Sequence, residues 1–294
     1  PFLGISLYKM FEVYGKGIFK NQIGKQAASI SWAFFLSLFP FILFMLSLLP
    51  HLPHYDKLQF YIFDVLLPNV LPANILKDVV DYLQSYIIPN LKGLNNITIL
   101  FSLIIGTNGT HSLINGFNEN TNLKRNFVKE YAISIVITIA FTVLLILTFL
   151  GIYYSEVVLK LFTPKYDISW FVDNLTKIIG YFSFPFFYFI LLTMFYWVGC
   201  LKITKWKQAV PGAIFTTILF VLLTYFFAIY LSNFARYNVF YGSIGTIIVV
   251  MIWVNINIML MLLGNELNLT IRKVRLEKMI ADEINSSKEE IDIE

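Results

Sequence analysis

Residues 27–49 read AASISWAFFLSLFPFILFMLSLL, twenty-three consecutive positions without a charge. At 1.5 Å per residue about twenty residues cross a hydrocarbon core of about 30 Å, so this run is a membrane span. A bilayer offers no partner to backbone N–H and C=O groups, and a spanning segment therefore closes its hydrogen bonds as a helix or within a closed barrel. The run is continuously apolar and does not alternate, which selects the helix. The whole chain agrees, with 57% hydrophobic and 14% charged residues and a mean hydropathy of +0.70. Soluble globular domains do not reach these values.

Further runs of this kind place the remaining spans. The pattern predicts an all-α polytopic membrane protein of six transmembrane helices at about 27–49, 97–117, 131–154, 174–198, 209–232 and 244–265. Together residues 1–268 form the transmembrane domain. Before the first span, Leu7, Met10, Phe11, Tyr14 and Ile18 recur at helical spacing among lysines, which predicts an interfacial helix. Between the first two spans, residues 55–90 carry two amphipathic faces separated by Pro68 and Pro72, predicting a helical hairpin on the outer surface. Residues 269–294 are charged and helix-prone and end acidic, predicting a solvated, partly disordered cytoplasmic tail. No cleavable signal pattern is visible, so the first span is expected to act as its own insertion signal.

Orientation follows from the cations. Residues 1–26, the loops after the second and fourth spans and the tail together hold fifteen of the twenty-two Lys and Arg. The positive-inside rule then places both termini in the cytoplasm, as an even number of spans requires, in a cell (cytoplasmic or inner) membrane. Such scattered cations orient a membrane protein, and nucleic acid is not an expected partner.

The second span is unusual. Its apolar start runs on into GTNGTHSLINGFNENTN at 106–122, which puts Asn108, His111, Asn115, Asn118 and Glu119 along one side of a helix. Amide and imidazole groups at this depth find no partner in lipid, so other helices must cover them. The sixth span offers Asn255 and Asn257, with Glu266 at its end. A polar cavity between the second and sixth spans would satisfy all of these groups, and Asn108, His111, Asn115, Asn118, Asn255, Asn257 and Glu266 are its candidate substrate-binding residues. His111 reads either as a hydrogen-bonded packing residue or as a proton relay. On the outer side Arg236, beside Tyr237 and Tyr241, is placed either to hold an anionic headgroup or to pair with a surface carboxylate. Pro40 and Pro185 interrupt the first and fourth spans and are hinge candidates. Pro211 is expected in the first turn of the fifth, where its missing N–H costs nothing.

Enzyme signatures are absent: there is no phosphate loop, no HExxH, no CxxC and no GxSxG elbow. No catalytic residue, metal ligand or cofactor is expected. Cys200 is the single cysteine, which rules out an intramolecular disulfide.

Several separated stretches carry a resemblance. AASISWAFFLSLFP at 27–40, PGA at 211–213, YNVFYGSIG at 237–245, Trp253 and GNELN at 264–268 resemble the YihY/BrkB membrane proteins in type and order. The resemblance implies an inner-membrane protein of six helices. That family was formerly labelled ribonuclease BN, but ribonuclease activity is not expected here, because the soluble parts are short and carry no acid/base constellation. The expected function is that of a transporter or flippase of a lipid or other amphiphile. The alternative is a non-transporting scaffold for envelope proteins. Membrane lipids are the expected partners in both.

Overall fold

The computed structural model describes residues 8, 12, 15, 16, 22–51, 80–91, 96–119, 121, 123–162, 182, 184–233 and 243–291. Every regular element among them is helical, and the chain is an all-α polytopic membrane protein. Five helices are long and apolar enough to cross a bilayer: α1 (Ile23–Leu48), α2 (Asn96–Asn118), α3 (Phe127–Phe162), α5 (Trp206–Asn233) and α6 (Ser243–Ile291). A shorter apolar helix, α4 (Phe184–Gly199), precedes α5 and ends in a π turn, Phe195–Gly199. The interfacial helix and the hairpin of 55–90 lie mostly outside the described residues; of the hairpin, residues 80–91 are helical.

Local sequence explains the boundaries. The side chain of Asn126 accepts from the backbone N–H of Val128 at 3.0 Å, and this cap starts α3. At α5 the side chain of Gln208 reaches back to the N–H groups of Thr204, 3.1 Å, and Lys205, 3.4 Å, so the helix opens at Trp206. Pro211 is therefore the sixth residue of α5 and not in its first turn as expected, and its absent N–H leaves the Lys207 carbonyl without its usual helical partner. α1 runs through Pro40 without a break. Pro185 is the second described residue of α4.

Packing sets the order of the helices. α1 lies along both α2 and α6, α2 also lies along α3, and α5 pairs with α6. The core where they meet includes Ile30, Leu113, Phe117, Leu192, Tyr196 and Ile258. The charged, helix-prone stretch after residue 268 continues α6 unbroken to Ile291. Its residues 275–284 are exposed, as the charges there require, while Thr270 and Val274 are still buried against the bundle.

Candidate functional site

The two sides of α2 meet different neighbours. Its glycines face α1: a Cβ on Gly106 would lie 3.1 Å from the Phe41 Cα, one on Gly109 3.0 Å from the Phe34 Cα, and one on Gly116 would strike the end of Ile30. Small residues let the two backbones approach this closely, as lipid-embedded helix pairs require. The polar row turns away from α1, toward α3. Tyr131 donates to the Ile104 carbonyl at 2.7 Å and to Asn108 at 3.0 Å, and Thr138 donates to Thr110 at 3.0 Å.

His111 sits in the middle of this row. The Asn115 amide is 3.2 Å from its Nε2 and the Ser134 hydroxyl 3.4 Å from its Nδ1, while Ser134 also donates to the Glu130 carbonyl at 2.9 Å. Asn115 and Ser134 thus bracket the ring, one at each nitrogen. Phe127 and Tyr131 pack edge-on to the ring at 5.5 and 5.2 Å.

Beyond His111 the helices part. A cavity of about 1050 Å³ opens between the start of α1, the last two turns of α2 and the stretch from Leu123 to Glu130. α1 supplies Lys25, Gln26 and Ser29, with Gln22 just before it, and α2 supplies His111, Ser112 and Asn115, with Glu119 just after it. Lys124, Arg125 and Glu130 complete the polar wall, whereas Leu123 and Phe127 form an apolar lip, 49% and 68% exposed. Gln26 donates to Glu119 across the mouth at 2.8 Å. Glu130 is buried in the first turn of α3, and its Oε1 has no hydrogen-bond partner.

This cavity is lined by α1 and α3 beside α2, where the sequence suggested the sixth span. Among the described residues the polar cavity lies between α1, α2 and α3, and none of Asn255, Asn257 and Glu266 lines it. The reason is the glycine face of α2: it draws α1 into backbone contact, and α1 then packs against α6 as well, which leaves little contact between α2 and α6. Asn255 donates to Ser31 of α1 at 3.2 Å, and Asn257 donates to the Trp253 carbonyl of its own helix at 2.7 Å. Glu266 is half-buried.

Asn118 borders the cavity, but its amide is already engaged. It donates to the Ile114 and Gly199 carbonyls at 3.0 and 2.8 Å and accepts from the Leu201 N–H at 2.8 Å, clamping the end of α2 to the α4–α5 turn. Of the sequence candidates, His111 and Asn115 are thus brought together with free cavity space, and Asn108 is bound to Tyr131. Arg236, Tyr237 and Tyr241 lie outside the described residues. Sequence reading missed Lys25, Lys124, Arg125 and Glu130 as cavity residues. The available signal was Asn126, whose cap starts a helix that turns Glu130 inward.

Two motif stretches also meet. In α6, Asn268 accepts from the Gly212 N–H at 2.7 Å and donates to the Ala209 carbonyl at 3.1 Å, so GNELN at 264–268 clasps PGA at 211–213. Tyr196 of α4 donates to the Met261 carbonyl at 2.9 Å and meets Thr216 at 2.9 Å. These residues build a three-helix joint. Their part in the fold is structural.

The profile of a family described as Virulence factor BrkB matches residues 16–287. The chain belongs to the BrkB family. Among BrkB-like relatives, a Bacillus subtilis protein named as ribonuclease-like, YfkH, is 28% identical over 262 residues, covering 88% of this chain and 92% of its own length. UPF0761 membrane proteins are also similar: that of Aggregatibacter aphrophilus is 23% identical, covering 89% of this chain and 91% of its own length. One from Coxiella burnetii is 26% identical over 249 residues, with 81% and 84% covered. No solved structure matches.

Proposed function

We propose that this BrkB-family protein moves an amphiphile through the membrane, holding its polar head in the cavity between α1, α2 and α3. The observation that carries this reading is the pairing of a polar wall with an exposed apolar lip at Leu123 and Phe127. A soluble ligand needs no such lip, whereas acyl chains leaving a seated headgroup do. Asn115 contributes an exposed amide beside His111 at the upper wall.

The test is movement of labelled lipids in liposomes containing the purified protein. Asn115→Leu is expected to slow movement about tenfold, the cost of leaving a polar headgroup group unpaired. Asn257→Leu, away from the cavity, is expected to leave it unchanged. Full activity in Asn115→Leu would overturn the reading. A purified sample that cleaved RNA and lost that activity on His111→Gln would replace it.

One observation favours the second reading, a docking scaffold. On the exposed end of α6, Leu276, Met279, Ile280 and Ile284 are 41–57% exposed and share one face. If docking were the function, removing residues 276–294 would abolish it while Asn115→Leu stayed silent.

A further inference from the structure

The cavity carries two unmet demands of opposite sign. Glu130 is 7% exposed, lines the cavity, and keeps one carboxylate oxygen with no hydrogen-bond partner. It sits in the first turn of α3. A buried carboxyl oxygen without a partner is a place for a hydrogen-bond donor, because an unmade bond there leaves its desolvation uncompensated. The cations do not answer it. Lys25 and Lys124 are exposed at the rim, and Arg125 spends its guanidinium on the Val198 carbonyl at 3.3 and 3.4 Å. The second carboxylate, Glu119, takes the Gln26 amide and is exposed. The wall thus presents a buried acceptor and a rim of cations.

A purely anionic ligand would meet the rim and leave Glu130 unpartnered, and a purely cationic one would meet Glu130 and leave the rim cations without a counter-charge. We propose that the cavity takes a phosphate ester bearing a primary ammonium group, with the phosphate against Lys25 and Lys124 and the ammonium donating to Glu130. The proposal rests on the reading of this cavity as the binding site and names the class of its ligand. Charge-assisted hydrogen bonds at both ends would give the site its selectivity.

Binding to the purified full chain is measured for short-chain lipids with ethanolamine, choline or glycerol phosphate heads, and for soluble O-phosphoethanolamine. The ethanolamine lipid is expected to bind about tenfold more tightly than the choline lipid, whose nitrogen has no hydrogen to donate. Glu130→Gln is expected to erase that preference, and Lys124→Gln to weaken every phosphate ligand. Should Glu130→Gln fail to fold, stepwise N-methylation of the lipid on the wild-type protein carries the same test, with affinity falling at each methyl. Equal affinity for the ethanolamine and choline lipids, or an unchanged preference in Glu130→Gln, overturns the proposal.

The outcomes separate it from the function above. A Glu130-dependent ammonium preference without lipid movement upholds the ligand class and removes transport. Lipid movement with no such preference does the reverse. Soluble O-phosphoethanolamine binding as tightly as the lipid upholds the ammonium phosphate and assigns its source to water. Binding of none of the probes overturns both.

Discussion

Asn118 and Asn108 stand ten residues apart on one helix and do different things. Asn118 is buried and satisfies one N–H and two carbonyls, one of which is the end of α4. Asn108 is exposed and accepts from Tyr131. Replacing Asn118 by leucine leaves the Gly199 carbonyl and Leu201 N–H unpaired in a buried place, at a cost of about 2 to 3 kcal/mol. The same change at Asn108 is expected to cost less than about 1 kcal/mol, in keeping with single hydrogen bonds in membranes. Thermal unfolding in detergent checks the order: the midpoint should fall clearly in Asn118→Leu and barely in Asn108→Leu. The spacing of these asparagines was legible in the sequence. Which one met a carbonyl from another helix was not, because both lie in the same polar row.

At the level of helices, glycine decides the contacts. A Cβ on Gly264 would collide with the Thr216 hydroxyl and lie 2.5 Å from the Tyr196 hydroxyl, whereas one on Gly24 meets nothing within 4 Å. Gly264→Ala is therefore expected to destabilise the α4–α5–α6 joint by about 2 kcal/mol or more, the cost of overpacking plus displaced hydrogen bonds. Gly24→Ala is expected to be neutral or slightly stabilising, since alanine is the better helix former. Comparing the fraction of monodisperse protein after heating tests the pair, and equal behaviour would refute the joint. Apolar length was enough to locate the helices that the structure describes. It could not reveal that Gly106, Gly109 and Gly116 admit α1, nor that Tyr131 and Thr138 of α3 meet Asn108 and Thr110 of α2. The capped start of α5 was equally hidden, because Gln208 acts at a distance of three residues inside a basic loop.

At the scale of the molecule, α6 has 49 residues and so extends about 73 Å, more than twice the hydrocarbon thickness. Burial ends near Val274, and residues 275–284 stand clear of the bundle. The charge count leads us to propose that this end, the cavity mouth and residue 25 share the cytoplasmic side. Cys200 permits a direct check: it is 1% exposed, and burial pushes its thiol up, so little thiolate forms near neutral pH and background labelling is low. Cysteines placed at the exposed positions Lys25, Lys129 and Met279 should all react with an impermeant maleimide in inside-out vesicles, and one at Tyr82 should react only in right-side-out ones. Labelling of positions 25 and 279 from opposite sides would exclude six crossings.

The sequence by itself determined the medium and the class of fold, because uncharged runs of twenty or more residues have one favourable solvent and, within it, one local hydrogen-bonding solution. It also determined that the end of α2 must be covered, since an amide in lipid has no other partner. Tertiary structure alone decided by what. Lipid tails are as apolar as leucine, so hydrophobicity does not choose among helix neighbours; close approach at glycines and a few interhelical hydrogen bonds do. Those contacts brought α1 to Gly106, Gly109 and Gly116, turned His111 and Asn115 toward α3, and left Glu130 facing a space that a ligand can fill.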